Sequence, residues 1–109
     1  MDINPYTYEA KMVRGDSETI SLKCPEEPFV SGDMIEFSVR KNIKKDRLIH
    51  KVVTEFDEEG KAFIEIEPED TSSLDFGSYM YDIQLTRASG RVKHIISASP
   101  LILRGETTY

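Results

Sequence analysis

The chain has 109 residues, a length that suits one domain over 1–109 with its packed part over about residues 8–104, and 39% hydrophobic with 31% charged residues excludes a disordered tail. Twenty acidic against 14 basic residues give a formal charge of −6, a field that repels polyanions, so no nucleic-acid partner is expected. No apolar run reaches the roughly 18–20 residues of a membrane helix, Met1-Asp2-Ile3-Asn4-Pro5 lacks a signal-peptide pattern, and Cys24 alone cannot form an internal disulfide, so no membrane partner and cytoplasmic synthesis are expected.

The dominant signal is a period of two in short runs between turn clusters, which predicts an all-β chain. Tyr8 to Val13 forms a first strand, ended by Arg14-Gly15-Asp16. Ser17 to Cys24 then alternates, with Ile20, Leu22 and Cys24 on one face, until Pro25-Glu26-Glu27-Pro28 stops it. After the turn Ser31-Gly32-Asp33, Ile35, Phe37 and Val39 alternate with Glu36, Ser38 and Arg40. A basic link, Lys41 to Arg47, leads to Leu48–Phe56, where Val52-Val53 breaks the phase and an edge position is expected. Asp57-Glu58-Glu59-Gly60 makes a hairpin turn, and Ala62, Ile64 and Ile66 face inward against outward Phe63, Glu65 and Glu67.

Pro68 ends that run, and residues 69–76 cross to a second sheet through a helical turn begun by Asp70. From Gly77 onward Tyr79, Tyr81, Ile83 and Leu85 point inward, and Met80, Asp82, Gln84 and Thr86 outward. Ala88-Ser89-Gly90 turns the chain into a last strand from Arg91 to about Leu103, in which Pro100 requires a bulge, bend or sheet edge. Leu74, Gly77 and Tyr79 fit the corner of an immunoglobulin-like sandwich, where a tyrosine near the start of the next-to-last strand bonds back to backbone a few residues upstream. The expected architecture is therefore a single antiparallel immunoglobulin-like β-sandwich of about seven strands.

No constellation for chemistry emerges. His50, His94 and Cys24 lack metal-ligand spacing, and His94, in phase with Val92 and Ile96, is expected to be half-buried. The acidic turn at 57–60 lacks the spacing of a calcium loop. There is no Gly-x-Ser-x-Gly elbow, no phosphate-cradling glycine loop, and Cys24 alternates with core residues. No catalytic, cofactor or metal site is expected. Arg14-Gly15-Asp16 spells a cell-adhesion tripeptide, but Gly15 is explained by the turn it makes.

The remaining candidates belong to an interaction surface. Phe63 and Met80 are expected outside, with Tyr6, Tyr8 and Tyr109 near the ends, and aromatic and Met side chains are enriched in interface cores. Lys41, Lys44, Lys45 and Arg47, with Arg40, concentrate positive charge in one link of an acidic chain and suit an acidic neighbour.

The order Arg14-Gly15-Asp16-Ser17, Pro28-Phe29, Gly32-Asp33, Ile35 to Lys41, Leu48-Ile49, Ile66 to Leu74 and Gly77 to Leu85 resembles the small immunoglobulin-like domains of tailed-phage and prophage structural proteins. It is most similar to the N-terminal domain of upper baseplate proteins, over about residues 13–104. The resemblance implies a non-enzymatic virion component of a baseplate, tail, neck or decoration, located in the virion or in the host cytoplasm before assembly. Its partners would be other virion proteins or further copies of itself in a homo-oligomer. It implies no active-site residues. Baseplate proteins continue into helical or fibre segments, so a sandwich standing alone would act through its own surfaces. A carbohydrate- or cell-surface-binding module is the alternative, although the chain has no Trp to offer a sugar.

Overall fold

The computed structural model describes residues 1–42 and 44–105. Among these residues the chain forms β1 (Asp2–Ile3), β2 (Ala10–Val13), β3 (Glu18–Leu22), β4 (Met34–Arg40), β5 (Arg47–Val53), β6 (Ala62–Ile66), one turn of helix α1 (Pro68–Thr71), β7 (Gly77–Thr86) and β8 (Val92–Arg104). Six strands form one sheet in the order β1-β2-β8-β7-β4-β5, and β3 pairs with β6 in a second. The chain is all-β.

β7 is central because its alternation is unbroken. Tyr79, Tyr81, Ile83 and Leu85 are buried, and the strand pairs antiparallel with β4 on one side and β8 on the other. Gly77 starts it at φ +136°, backbone that a side chain rarely adopts; the space around it is open, so the requirement is conformational. Ile35, Phe37 and Val39 from β4 join this inner face and meet Ile20, Ala62, Ile64 and Ile66 from the small sheet. The Phe37 and Tyr81 rings pack at 6.1 Å.

The expected purely antiparallel arrangement of about seven strands is corrected on two points. β2 runs parallel to β8, Ala10 opposite Leu101 through Val13 opposite Arg104, so the large sheet is mixed. The reason lies in the link after Val13. It does not fold back as a hairpin but crosses to the other sheet, where the Gly15 N–H donates to Thr71 Oγ1 at 2.9 Å, and β2 is left to line the open edge of β8. An eighth strand, β1, arises because the segment Asn4–Glu9 turns the chain back on itself, Asn4 N–H donating to the Glu9 carbonyl at 2.9 Å.

Three local expectations change as well. β5 ends at Val53 rather than Phe56, at the free edge of the large sheet, with Ile49 buried and Leu48 and Val52 exposed. α1 begins at Pro68, not Asp70. Proline suits the first helical position, and Asp70 serves instead by accepting the Glu67 N–H at 2.7 Å. His94 is exposed rather than half-buried, because a register shift opposite Ile83 and Gln84 inserts Ile95 and breaks its phase with buried Ile96.

Beside Gly77, the Tyr79 hydroxyl donates to the Asp75 carbonyl at 2.6 Å, four residues upstream. Changing Tyr79→Phe is expected to destabilise the fold by about 0.5–1.5 kcal/mol, the net value of one hydrogen bond. Chemical denaturation checks this, and an unmoved midpoint would remove the corner's structural role.

Candidate functional site

One end of the molecule is built around the α1 corner. Burial pushes the Tyr79 hydroxyl above its ordinary pKa, with the nearby Asp75 charge adding to the effect. Arg14 Nη1 donates to the Leu74 carbonyl at 3.3 Å while its guanidinium lies 4.1 Å over the Phe76 ring. The arginine of the adhesion-like tripeptide is thus engaged in the fold. Lys51 Nζ sits 2.7 Å from Asp70 Oδ2 and ties β5 to the corner. Burial raises the Asp70 carboxyl, but the Lys51 ammonium and the Glu67 N–H outweigh it and hold the group below its usual range.

The basic link divides in this setting. Lys41 lies 4.5 Å over the Tyr79 ring and donates to the Ser78 carbonyl at 3.4 Å, so it covers the corner. Arg47 approaches His50 Nε2 at 3.0 Å, and the same nitrogen lies 2.9 Å from Glu36 Oε2 on the outer face of the large sheet. Lys44 and Lys45 are exposed.

At the opposite end a polar latch joins the β3–β4 connection to the β7–β8 hairpin. Asp33 is buried, and its carboxylate accepts Arg87 Nη1 at 2.9 Å, the Val30 N–H at 3.0 Å and the Ala88 N–H at 2.9 Å. Arg87 Nη2 also donates to the Glu27 carbonyl at 2.8 Å, and its guanidinium lies 5.6 Å from the Phe29 ring centre. Burial alone would raise the Asp33 carboxyl; the two backbone amides and the Arg87 guanidinium reverse that and hold it below the usual carboxylate range. Phe29 in turn packs on Phe56 at 5.5 Å. Gly60 approaches so closely that a Cβ would meet Pro28 Cβ at 2.6 Å, on backbone at φ +77°.

The two long sides differ. On one, the chain passes from β5 to β6 through residues 54–61, and the Lys51–Asp70 pair ties β5 to α1. On the other, β1 and β2 cover only the half nearest the corner, because β2 pairs with β8 at Leu101–Arg104 alone. There the Tyr81 hydroxyl, buried in the core, donates to the Tyr8 carbonyl. Burial pushes Tyr81 up to about 12, so it stays a donor at any physiological pH. Tyr8 adopts φ +62°, and Asn4 Oδ1 accepts the N–H groups of Tyr6 and Thr7 at 2.8 and 3.1 Å. Tyr6 projects from this ordered loop at 89% exposure. Beyond it, between the end of β3 and the first half of β8, lies a groove of about 400 Å³. Cys24 lines it, half-buried and free, with its Sγ 3.9 Å from Arg87 Nη2.

The expected interaction residues do not form one patch. Phe63, 42% exposed, is on the outer face of the small sheet, whereas half-buried Met80 is on the outer face of the large sheet, opposite Pro100. Tyr6 and Tyr8 share the β1–β2 loop, and the basic link lies at the corner end. Tyr109 lies outside the described residues. The latch pair Asp33–Arg87 and the Tyr81 anchor escape a sequence reading, because Asp33 looks like any turn residue and its partner is 54 positions away. Among the described residues, no group of three or more His, Cys, Asp or Glu side chains converges as metal ligands do, and no helix is long and apolar enough to cross a membrane. Compared with known proteins, no family model matches the chain, and no curated sequence matches it.

The latch has a pH signature. Folding lowers the Asp33 pKa, so on acidification the unfolded chain takes up the proton first. The stabilisation is complete above the unfolded carboxylate value of about 3.9 and is lost as pH falls through the folded value. The gap in urea midpoint between the native chain and Asp33→Asn is therefore expected to be wide at pH 7 and narrower at pH 3. A gap independent of pH would show that the ionised carboxylate is not the tie. Arg87→Ala is expected to cost about 3 kcal/mol, because it leaves a buried carboxylate with only its two amide donors.

Proposed function

We propose that the chain is a non-enzymatic structural or assembly component of a tailed-phage or prophage particle, as a baseplate, tail, neck or decoration protein working through protein–protein contacts. Its partners are other virion proteins or further copies of itself in a homo-oligomer. It resides in the virion, or in the host cytoplasm before assembly.

The observation that carries this reading is the β1–β2 loop. A tyrosine ring stands almost fully exposed on a turn that Asn4 caps, that Tyr8 holds at positive φ, and that a buried hydroxyl fastens from within. Such backbone persists only where its surroundings over-determine it, and strain of this kind clusters at functional sites. A large aromatic on a pre-ordered turn contributes contact area at low entropic cost, as an interface anchor requires.

The strand order supports the finer part of the proposal, an immunoglobulin-like sandwich. β4, β7 and β8 with β5 on the flank correspond to the three-strand sheet of that fold and its variable-type addition. β3 and β6 correspond to the middle of the opposite sheet, and the Tyr79 corner falls between β6 and β7 where the fold places it. A glycan-binding module is the second reading, favoured by Tyr6 and Tyr8 being exposed on one loop.

Mass spectrometry of purified particles from the source bacterium should find the chain in stoichiometric amount. Tyr6→Ala should leave the thermal midpoint unchanged and reduce incorporation at least several-fold. Absence from every induced particle would overturn the proposal, and glycan-array binding abolished by Tyr6→Ala would replace it with the second reading.

A further inference from the structure

We propose that the open side of the molecule receives a short extended segment of a partner protein, apolar on one face and acidic on the other, as an added strand. The inference deepens the protein-contact reading above and rests on it.

One backbone edge, that of β8, borders the groove, and β3 reaches it only at its last residue, Leu22. Among the described residues β3 pairs only with β6, and β8 from Val92 to Pro100 pairs only with β7. The β8 edge therefore presents N–H and C=O groups that a strand can satisfy, with the end of β3 opposite it. The floor is apolar, formed by Leu22, Leu85 and Ile95, because the five-residue strands of the small sheet end before the long β7–β8 hairpin does. A volume of about 400 Å³ admits the inward side chains of a short strand laid beside the first residues of β8.

Charge selects the occupant. Four basic and two acidic side chains line the groove, in a chain whose formal charge is −6. Lys23, Arg91 and Lys93 are exposed there, and among the described residues none has a carboxylate within ion-pair distance. Such a rim favours carboxylates next to an apolar floor and rejects a basic strand. Pairing with the same edge of a second copy would bring these basic rims together, which like charges oppose.

The test titrates isotope-labelled protein with an acetylated seven-residue peptide of alternating valine and glutamate, observed by backbone amide resonances. A valine–lysine peptide of equal length is the control. The expected result is saturable binding that perturbs amides within residues 20–24 and 92–97. The lysine peptide should bind at least about tenfold more weakly, and Lys93→Glu, an exposed change, should weaken the glutamate peptide about tenfold with an unmoved thermal midpoint. No saturation at millimolar peptide, equal binding of both peptides, or perturbation centred on residues 41–47 would overturn the proposal. So would concentration-dependent self-association that protects these same edge amides, since the occupant would then be a second copy. Failure here with the chain still present in particles removes the groove and leaves the virion role standing. Peptide binding by a chain absent from particles does the reverse.

Discussion

A six-stranded sheet backed by a two-stranded one leaves more inner face than the smaller layer can cover. β7 and β8 run for 10 and 13 residues, whereas β3 and β6 have five each. Apolar surface left in water forfeits roughly 25 cal/mol per Å², so other parts of the chain must cover the remainder. Connections carry many polar backbone groups and make poor covers unless those groups are bonded. The rest of the structure can be understood as responses to that mismatch.

At one end the β3–β4 connection is laid over the sheet and fastened by Asp33, whose two carboxylate oxygens hold Arg87 and two backbone amides. At the other, the corner after β6 is fastened through Tyr79, Thr71 and Asp70, each bonded to a different stretch of chain. Along one side the Tyr81 hydroxyl reaches out of the core to the strained Tyr8 backbone. These ties are polar and directional, so they set where each segment lies, while the apolar contacts beneath them supply the bulk of the stability.

The same mismatch yields the surfaces that suit a partner. Where the cover is complete and stiff, as at the β1–β2 loop, it presents an aromatic ring. Where the cover stops, it leaves a basic-rimmed groove beside a stretch of β8 that, among the described residues, pairs on one side only. The two surfaces are thus of different kinds, one rigid and one unfinished. The candidates scattered elsewhere, Phe63 and Met80, lie on the outer faces of different sheets and do not join one patch.

Strand character was legible from the chain alone, because a side chain's face depends only on its parity within a strand. Inward Tyr79, Tyr81, Ile83 and Leu85, and inward Ala62, Ile64 and Ile66, follow from alternation and need no knowledge of partners. Parity fails where a residue is inserted, and so His94 could not be placed until the shift at Ile95 was seen. Which strands become neighbours was decided only in three dimensions. The parallel seat of β2 beside β8 depends on where a crossing link is caught by Thr71, a residue 56 positions from Gly15. The Asp33–Arg87 latch and the Tyr81–Tyr8 tie are of the same kind, since nothing near either partner in the chain announces the other. Local pattern encodes the layers; long-range polar pairing decides how they are closed and where they stay open.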